Sequence, residues 1–265
     1  MTFQRSRLRR RLTNALLLVG VALTVGCTTV PLPDLPAGDG SPEAWRDAEN
    51  AWDRVLSEHV TPDGRVDFAA IAADRDDLDR FVAAVAEASP WSHPARFPDR
   101  ADTLAYAINS YNALAIYNTV VTENRPEQLV RFFIRNRVTV GGERVSLYDY
   151  ENDWLRPLDE PRLHFALNCL ARSCPRLPAR AFRATELDAT LDALTREFLN
   201  DPRHVEVDDA SRTIRLSAIL DWYEEDFRVV APSLLEYVNR YRESPIPADY
   251  RVEFLEYDWT RNDAS

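Results

Sequence analysis

The chain of 265 residues contains no lysine, and all 32 of its basic side chains are arginines. A Schiff-base lysine, a Walker-type phosphate loop and a Ser–Lys dyad all require a lysine side chain. The sequence therefore excludes these three kinds of active site. Cysteine and histidine are also scarce, with three and four residues respectively, so the few that are present can be considered one by one.

Negative charge dominates the composition. Aspartate and glutamate number 43, and the formal net charge is −11. Five arginines lie within the first eleven residues, so the rest of the chain carries a charge of about −16. Affinity for phosphate backbones requires a basic face. The composition therefore predicts no nucleic-acid partner.

The N-terminus has the pattern of a secretory signal. A basic segment is followed by an almost wholly apolar stretch at residues 15–23 and by small residues before Cys27. The apolar stretch is too short for an ordinary membrane span. The segment is similar to a bacterial lipoprotein signal, although Thr24 stands where such signals usually carry Leu. We therefore predict a signal peptide at residues 1–26, lipidation of Cys27, and a periplasmic or cell-envelope protein held at the membrane by that lipid. Plain cleavage and an uncleaved anchor are the alternatives.

The segment after Cys27 is polar and contains several prolines. Residues 27–40 are therefore predicted to form a flexible tether. The remaining residues, 41–265, are numerous enough to bury a hydrophobic core and are assigned to a single domain.

Helical patterns predominate in this domain, and short hairpins interrupt them. Ser41 and Pro42 begin a helix, as N-cap and first-turn proline, and the most apolar helix spans residues 101–121. Gly141-Gly142 and Asp208-Asp209 mark two hairpin turns. Further helices are predicted at residues 78–86, 147–155, 185–199 and after Ser217, and strands at residues 162–168 and 252–257. This order indicates an α+β fold, a helix-rich single domain whose hairpins form a small antiparallel or mixed sheet.

Residues 162–175 contain the residues best suited to chemistry. His164 lies in an apolar run, and Cys169 and Cys174 follow it closely. In an oxidising compartment these cysteines form a disulfide, the state favoured if Cys27 is lipidated. If they are reduced, a thiolate activated by His164 is a nucleophile; a redox-active or metal-binding pair is the third alternative. On a straight strand Cys169 faces away from His164, which makes Cys174 the preferred thiol. His59, His93 and His204 lie in polar or proline-flanked segments and are predicted at the surface.

Two asparagines lie on the apolar central helix. Asn109 and Asn112 are three residues apart and share a face. Buried amides need hydrogen-bond partners, so these residues either clamp neighbouring backbone or orient an imidazole or an oxyanion. Glu151 and Asp226 are further candidates for orienting the ring of His164, because aromatic residues around Asp226 indicate partial burial.

Several segments resemble one family. Residues 107–114, Ala-Ile-Asn-Ser-Tyr-Asn-Ala-Leu, are similar to the Phe-Trp-Ile-Asn-Ala-Tyr-Asn-Ala-Leu signature of the domain-of-unknown-function family 547. The other matches follow in family order: Ser146-Leu147 with Glu151, residues 162–169, Ser173-Cys174-Pro175, Trp222-Tyr223 with Asp226-Phe227, and Tyr257-Asp258-Trp259. The resemblance implies a cell-envelope domain but no established reaction. Ala107 replaces a common Trp, and Asp153 lies where the family often has His.

Two classes of function remain open. One is a Cys/His-dependent hydrolase or acyl transferase. The order of the helix and the His-bearing strand is distantly similar to papain-like and transglutaminase-like folds, which favours this class. The other is a non-catalytic binding or accessory domain, whose disulfide-stabilised loop recognises a small-molecule or peptide ligand. The candidate catalytic residues are His164, Cys174, Cys169, Asn109, Asn112, Glu151 and Asp226. No cofactor and no metal ion is predicted.

Overall fold

A computed structural model describes residues 26–35 and 41–264. The predicted signal peptide therefore lies outside the described residues, apart from Gly26, as does the second part of the predicted tether. Within the described ranges, no helix is long and apolar enough to cross a membrane.

The described residues form α-helices separated by short strands, 3₁₀ turns and two π-helical segments. The helices are α1 (Pro42–His59), α2 (Phe68–Ala73), α3 (Asp76–Glu87), α4 (Arg100–Thr122), α5 (Leu147–Asp149), α6 (Leu187–Asn200), α7 (Ala218–Trp222), α8 (Glu224–Val230) and α9 (Leu234–Asn239). The π-helical segments are Val130–Arg135 and Tyr150–Leu155.

The strands form two small mixed sheets. The first contains β1 (Thr28–Thr29), β2 (Asn136–Val140) and β3 (Glu143–Val145), and the second contains β4 (Val205–Asp208), β5 (Thr213–Leu216) and β6 (Arg251–Phe254). In each sheet one pair is an antiparallel hairpin and the other pair is parallel. Both predicted hairpins are confirmed. The fold class is α+β, as predicted, with two small sheets instead of one.

Helix α4 lies at the centre of the larger core. Asp99 and Asp102 form a capping box at its start, and 16 of its residues, from Leu104 to Thr119, are buried. Helix α1 contacts it through the Trp52 indole, which donates to Asn109, and helix α3 through the carbonyl of Val85, which accepts from the Tyr106 hydroxyl. A helix apolar on all sides must be surrounded by other elements. The central position predicted for this helix is therefore confirmed.

A second core surrounds the sheet of β4, β5 and β6. Phe165, Phe227 and Tyr237 are fully or almost fully buried in it. Leu163, two residues before Phe165, belongs to the larger core. His164 therefore lies in the short segment that joins the two cores.

The strand predicted for residues 162–168 is wrong. Pro161–Phe165 forms a 3₁₀ turn, in which Pro161 occupies the first turn and the Glu160 side chain accepts a hydrogen bond from the backbone N–H of Arg162. A short apolar run gives no periodicity by which a turn can be distinguished from a strand. The argument that placed His164 and Cys169 on opposite faces of a strand therefore does not apply.

His204 is not a surface residue, contrary to the prediction. The residue is only 5% exposed, and its ring stacks on Phe198 with centroids 3.9 Å apart. Burial lowers the pKa of His204 to about 4. The polar residues that flank His204 in sequence belong to a turn, and the His204 side chain points from this turn into the second core.

The start of the predicted tether is attached to the domain. Strand β1 pairs in parallel with the beginning of β2, and Val30 is buried. The Tyr117 hydroxyl donates a hydrogen bond to the carbonyl of Pro31 at 2.9 Å. These contacts join residues about a hundred positions apart, and the local composition used for the tether prediction contains no information about them.

Candidate functional site

His164 and Asp226 form the centre of the site. The Nε2 atom of His164 lies 2.8 Å from Oδ2 of Asp226, although 62 positions separate the residues. Burial raises the pKa of Asp226, but hydrogen bonds from His164 and Arg156 outweigh this effect and lower the pKa to about 2. The Asp226 carboxylate can only accept hydrogen bonds. Nε2 of His164 therefore carries a hydrogen atom and donates a hydrogen bond to Asp226.

Arg156 completes a cluster of three side chains. Its Nε and Nη2 atoms both donate to Asp226 at 2.7 Å, and its Nη1 donates to Asn152 at 2.8 Å. Arg156 and Asp226 are 14% and 22% exposed at their side chains. The bidentate geometry and limited solvent access fix the carboxylate. The Arg156–Asp226–His164 cluster therefore holds the imidazole in one orientation.

Tyr223 connects this cluster to Glu151. Its ring stacks on the imidazole of His164, with centroids 3.9 Å apart. Its hydroxyl donates to one oxygen of Glu151, and the Tyr111 hydroxyl donates to the other at 3.0 Å. Burial holds the pKa of both tyrosines well above the usual value, so both remain donors. Glu151 therefore acts on His164 through Tyr223, without a hydrogen bond to the ring.

Cys169 and Cys174 lie together, with their sulfur atoms at disulfide distance. The Tyr257 hydroxyl contacts both sulfur atoms, at 3.1 Å from Cys169 and 3.2 Å from Cys174. Cys174 Sγ also accepts a hydrogen bond from the backbone N–H of Cys169 at 3.1 Å. No hydrogen bond joins His164 to either sulfur in the part of the chain that the structure describes.

The loop between the cysteines is held by the end of the chain. The backbone N–H of Arg172 donates to Thr260, that of Ser173 donates to Asp258, and Leu170 accepts from Asn262. Leu170 has a φ of 65°, a left-handed conformation that is unfavourable for a bulky residue. The side chain of Asn168 supports it by accepting the N–H of Leu170 at 2.8 Å. The loop is thus positioned by hydrogen bonds as well as by its cysteines.

The two asparagines of α4 both clamp backbone. Asn112 donates to the carbonyl of Ala166 at 3.0 Å and accepts from the N–H of Asn168 at 2.7 Å. Asn109 makes the equivalent pair of bonds with Phe182 and also accepts from the indole of Trp52. These contacts agree with the clamping alternative. Asn112 positions the segment between His164 and Cys169, whereas Asn109 fixes a different part of the fold.

The space beside His164 is small. A cavity of about 30 Å³ is lined by Leu163, His164, Leu167, Arg156 and Asp226, among others. This volume accommodates a water molecule, whereas sites for small molecules usually measure several hundred Å³. A larger groove of about 550 Å³ lies elsewhere, between the segment at Leu32 and Leu35 and helices α1 and α3. None of the candidate catalytic residues lines this groove.

Four side chains of the site were not selected as candidates from the sequence, namely Arg156, Tyr111, Tyr223 and Tyr257. The three tyrosines all lie in segments that carry the family resemblance, which is the signal that could have selected them. Arg156 gave no signal, because its contact with Asp226 spans 70 positions. In the described ranges, no three side chains of His, Cys, Asp or Glu lie close enough together to hold a metal ion.

These features define a helix-rich α+β domain with an imidazole fixed by a carboxylate and a loop whose two cysteines lie at disulfide distance. Residues 95–199 match the model of a family described as protein of unknown function, DUF547. This match confirms the resemblance over residues 95–199. The match includes Asn109, Asn112, Glu151, His164 and both loop cysteines, whereas Asp226 and Tyr257 lie beyond it. No curated protein and no solved structure matches the chain significantly.

Proposed function

We propose that this protein is an exported accessory domain of the cell envelope, anchored by a lipid on Cys27. In this proposal a Cys169–Cys174 disulfide shapes a loop that recognises a small-molecule or peptide ligand. The observation that carries the proposal is the proximity of Cys169 and Cys174, whose Cα atoms lie 6.2 Å apart, within the range that a disulfide spans. A disulfide at this position uses both thiols that a Cys/His enzyme would need. Disulfides form and persist mainly in oxidising compartments, in keeping with export.

Two further observations favour recognition over thiol catalysis. His164 donates to Asp226, and the hydroxyl of Tyr257, not an imidazole, is the side chain in contact with the sulfur atoms. The cavity beside His164 has room for a water molecule but not for a substrate. The hydrolase or acyl transferase alternative requires both cysteines to be free.

The disulfide can be tested directly by peptide mapping. The full chain is isolated without reductant from cells that export it, alkylated and digested with trypsin, which cleaves after Arg162, Arg172 and Arg176. We expect residues 163–172 to remain linked to residues 173–176 until reductant is added. Alkylation of both cysteines before reduction would refute the disulfide and reopen the thiol-enzyme alternative.

The anchor requires a separate test. Cells that produce the full chain are labelled with radioactive palmitate, and the protein is recovered by immunoprecipitation. We expect incorporation into the wild-type chain and its loss in Cys27→Ser, because only the cysteine at the cleavage site can be acylated. The neighbouring variant Thr28→Ser is the matched control and retains the label. Equal labelling of Cys27→Ser would mean that Cys27 is not the acylated residue.

A further inference from the structure

We infer that the Cys169–Cys174 pair is a thiol–disulfide exchange centre, in which Cys169 reacts with an external dithiol and Cys174 is the leaving thiolate. The inference rests on the proposed disulfide and adds to it the chemical class of a partner. It depends on the different surroundings of the two sulfur atoms.

Access to solvent distinguishes the two cysteines. Cys174 is only 6% exposed, whereas Cys169 is half-buried. An attacking thiolate must approach the sulfur atom that it can reach. The incoming sulfur therefore bonds to Cys169, and the bond between Cys169 and Cys174 breaks.

Hydrogen bonding distinguishes them in the same direction. Cys174 Sγ accepts a hydrogen bond from the backbone N–H of Cys169. The Tyr257 hydroxyl lies at nearly equal distances from both sulfur atoms, so it can donate to whichever of them becomes a thiolate. Burial and the nearby Glu151 hold the pKa of Tyr257 well above the usual value, so its hydroxyl keeps its proton. Once the incoming sulfur has bonded to Cys169, the N–H and the hydroxyl can both donate to Cys174, and a thiolate stabilised in this way leaves faster.

The loop does not depend on the disulfide alone for its position. The backbone bonds from Leu170, Arg172 and Ser173 to residues 258–262 remain available after reduction. The two sulfur atoms are therefore expected to stay close together in the dithiol form. The Cys169–Cys174 bond can therefore break and form again repeatedly. A disulfide that was the sole constraint on its loop would not permit this.

The exchange balances with a dithiol as the only co-reactant. Its first thiolate forms a mixed disulfide with Cys169 and releases Cys174 as a thiolate. Its second thiolate then attacks the external sulfur of that mixed disulfide and releases Cys169. The dithiol loses two electrons and becomes a disulfide, the protein pair gains them, and the two thiol protons pass through solvent to Cys169 and Cys174.

Tyr257→Phe is the principal test, with dithiothreitol as the dithiol. The full chain carrying Cys27→Ser is prepared oxidised, so that Cys169 and Cys174 are its only cysteines, and the appearance of thiols is followed over time. Loss of the hydroxyl is expected to slow reduction about tenfold, because one donor to the leaving thiolate is removed. Tyr250→Phe is the matched control, since its hydroxyl bonds Asp209 away from the loop, and should reduce at the parent rate.

A trapping experiment tests which sulfur reacts, even if Tyr257→Phe fails to fold. With oxidised glutathione as the probe, Cys174→Ser should form a mixed disulfide at Cys169, while Cys169→Ser should form little at the buried Cys174. Equal reduction rates for Tyr257→Phe and its parent, or an adduct formed mainly at Cys174, would overturn the exchange centre and leave the structural disulfide intact. Free thiols at the outset would instead overturn both proposals.

Discussion

Asp226→Ala should lower the free energy of unfolding by about 3 kcal/mol, because it leaves the largely buried Arg156 guanidinium without its bidentate partner. The same change removes the acceptor for Nε2 of His164. Breaking a buried pair at one side typically costs about 3–5 kcal/mol, and the partial exposure of Asp226 places this variant at the lower end. Urea unfolding at neutral pH, followed by circular dichroism, measures the difference.

Asp188→Ala provides the matched control for this prediction. Asp188 also pairs with an arginine, Arg162, at 2.8 Å, but its side chain is 90% exposed. Exposed pairs contribute less than about 1 kcal/mol, so this variant should unfold almost as the wild type does. Similar losses in the two variants would show that the Arg156–Asp226–His164 cluster is no more than a surface ion pair.

Acidification from pH 7 to pH 4 should cost the fold about 3 kcal/mol through His204 alone. The pKa of His204 is about 4 in the folded protein and about 6.5 in an unfolded chain. Between these values the unfolded chain binds a proton that the folded protein does not, so stability falls as the pH falls. The contribution is fully present above about pH 6.5 and is lost as the pH approaches 4.

The variant His204→Phe should reduce this pH dependence, because Phe can stack on Phe198 and does not titrate. Chemical unfolding of both proteins at several pH values between 7 and 4 gives the comparison. His93→Gln, which removes an exposed histidine, should follow the wild-type curve. A curve for His204→Phe as steep as that of the wild type would assign the acid sensitivity to other groups.

Local patterns predicted most of the helices and both hairpins. The N-cap at Ser41, the apolar helix around Asn109 and the paired glycines at 141–142 each depend on residues close in sequence. The 3₁₀ turn at His164 and the parallel pairing of β1 and β6 depend on tertiary partners instead. A single sequence does not reveal such partners, and short segments without periodicity are therefore the ones that were predicted wrongly.

The same distinction between local sequence patterns and tertiary contacts applies to the candidate site. Residue type was enough to select His164, Asp226 and the two cysteines, because each is an uncommon or charged group in an apolar setting. Their grouping was not predictable, since Asp226 joins His164 and Tyr257 joins the cysteines across 62 and more than 80 positions. The structure brings the imidazole to the carboxylate and the thiols to the tyrosine, where the sequence had suggested an imidazole beside a thiol.

The attachment of β1 bears on how an anchored protein would sit on a bilayer. A free tether over residues 27–40 could extend by about 45–50 Å. Because Thr28 is already paired with Asn136, a lipid on Cys27 would leave almost no slack between acyl chain and domain. The edge of the first sheet, where Arg137 lies beside Cys27, would then rest at the level of the lipid headgroups. Partners would meet the domain in a restricted set of orientations and at a fixed height above the membrane.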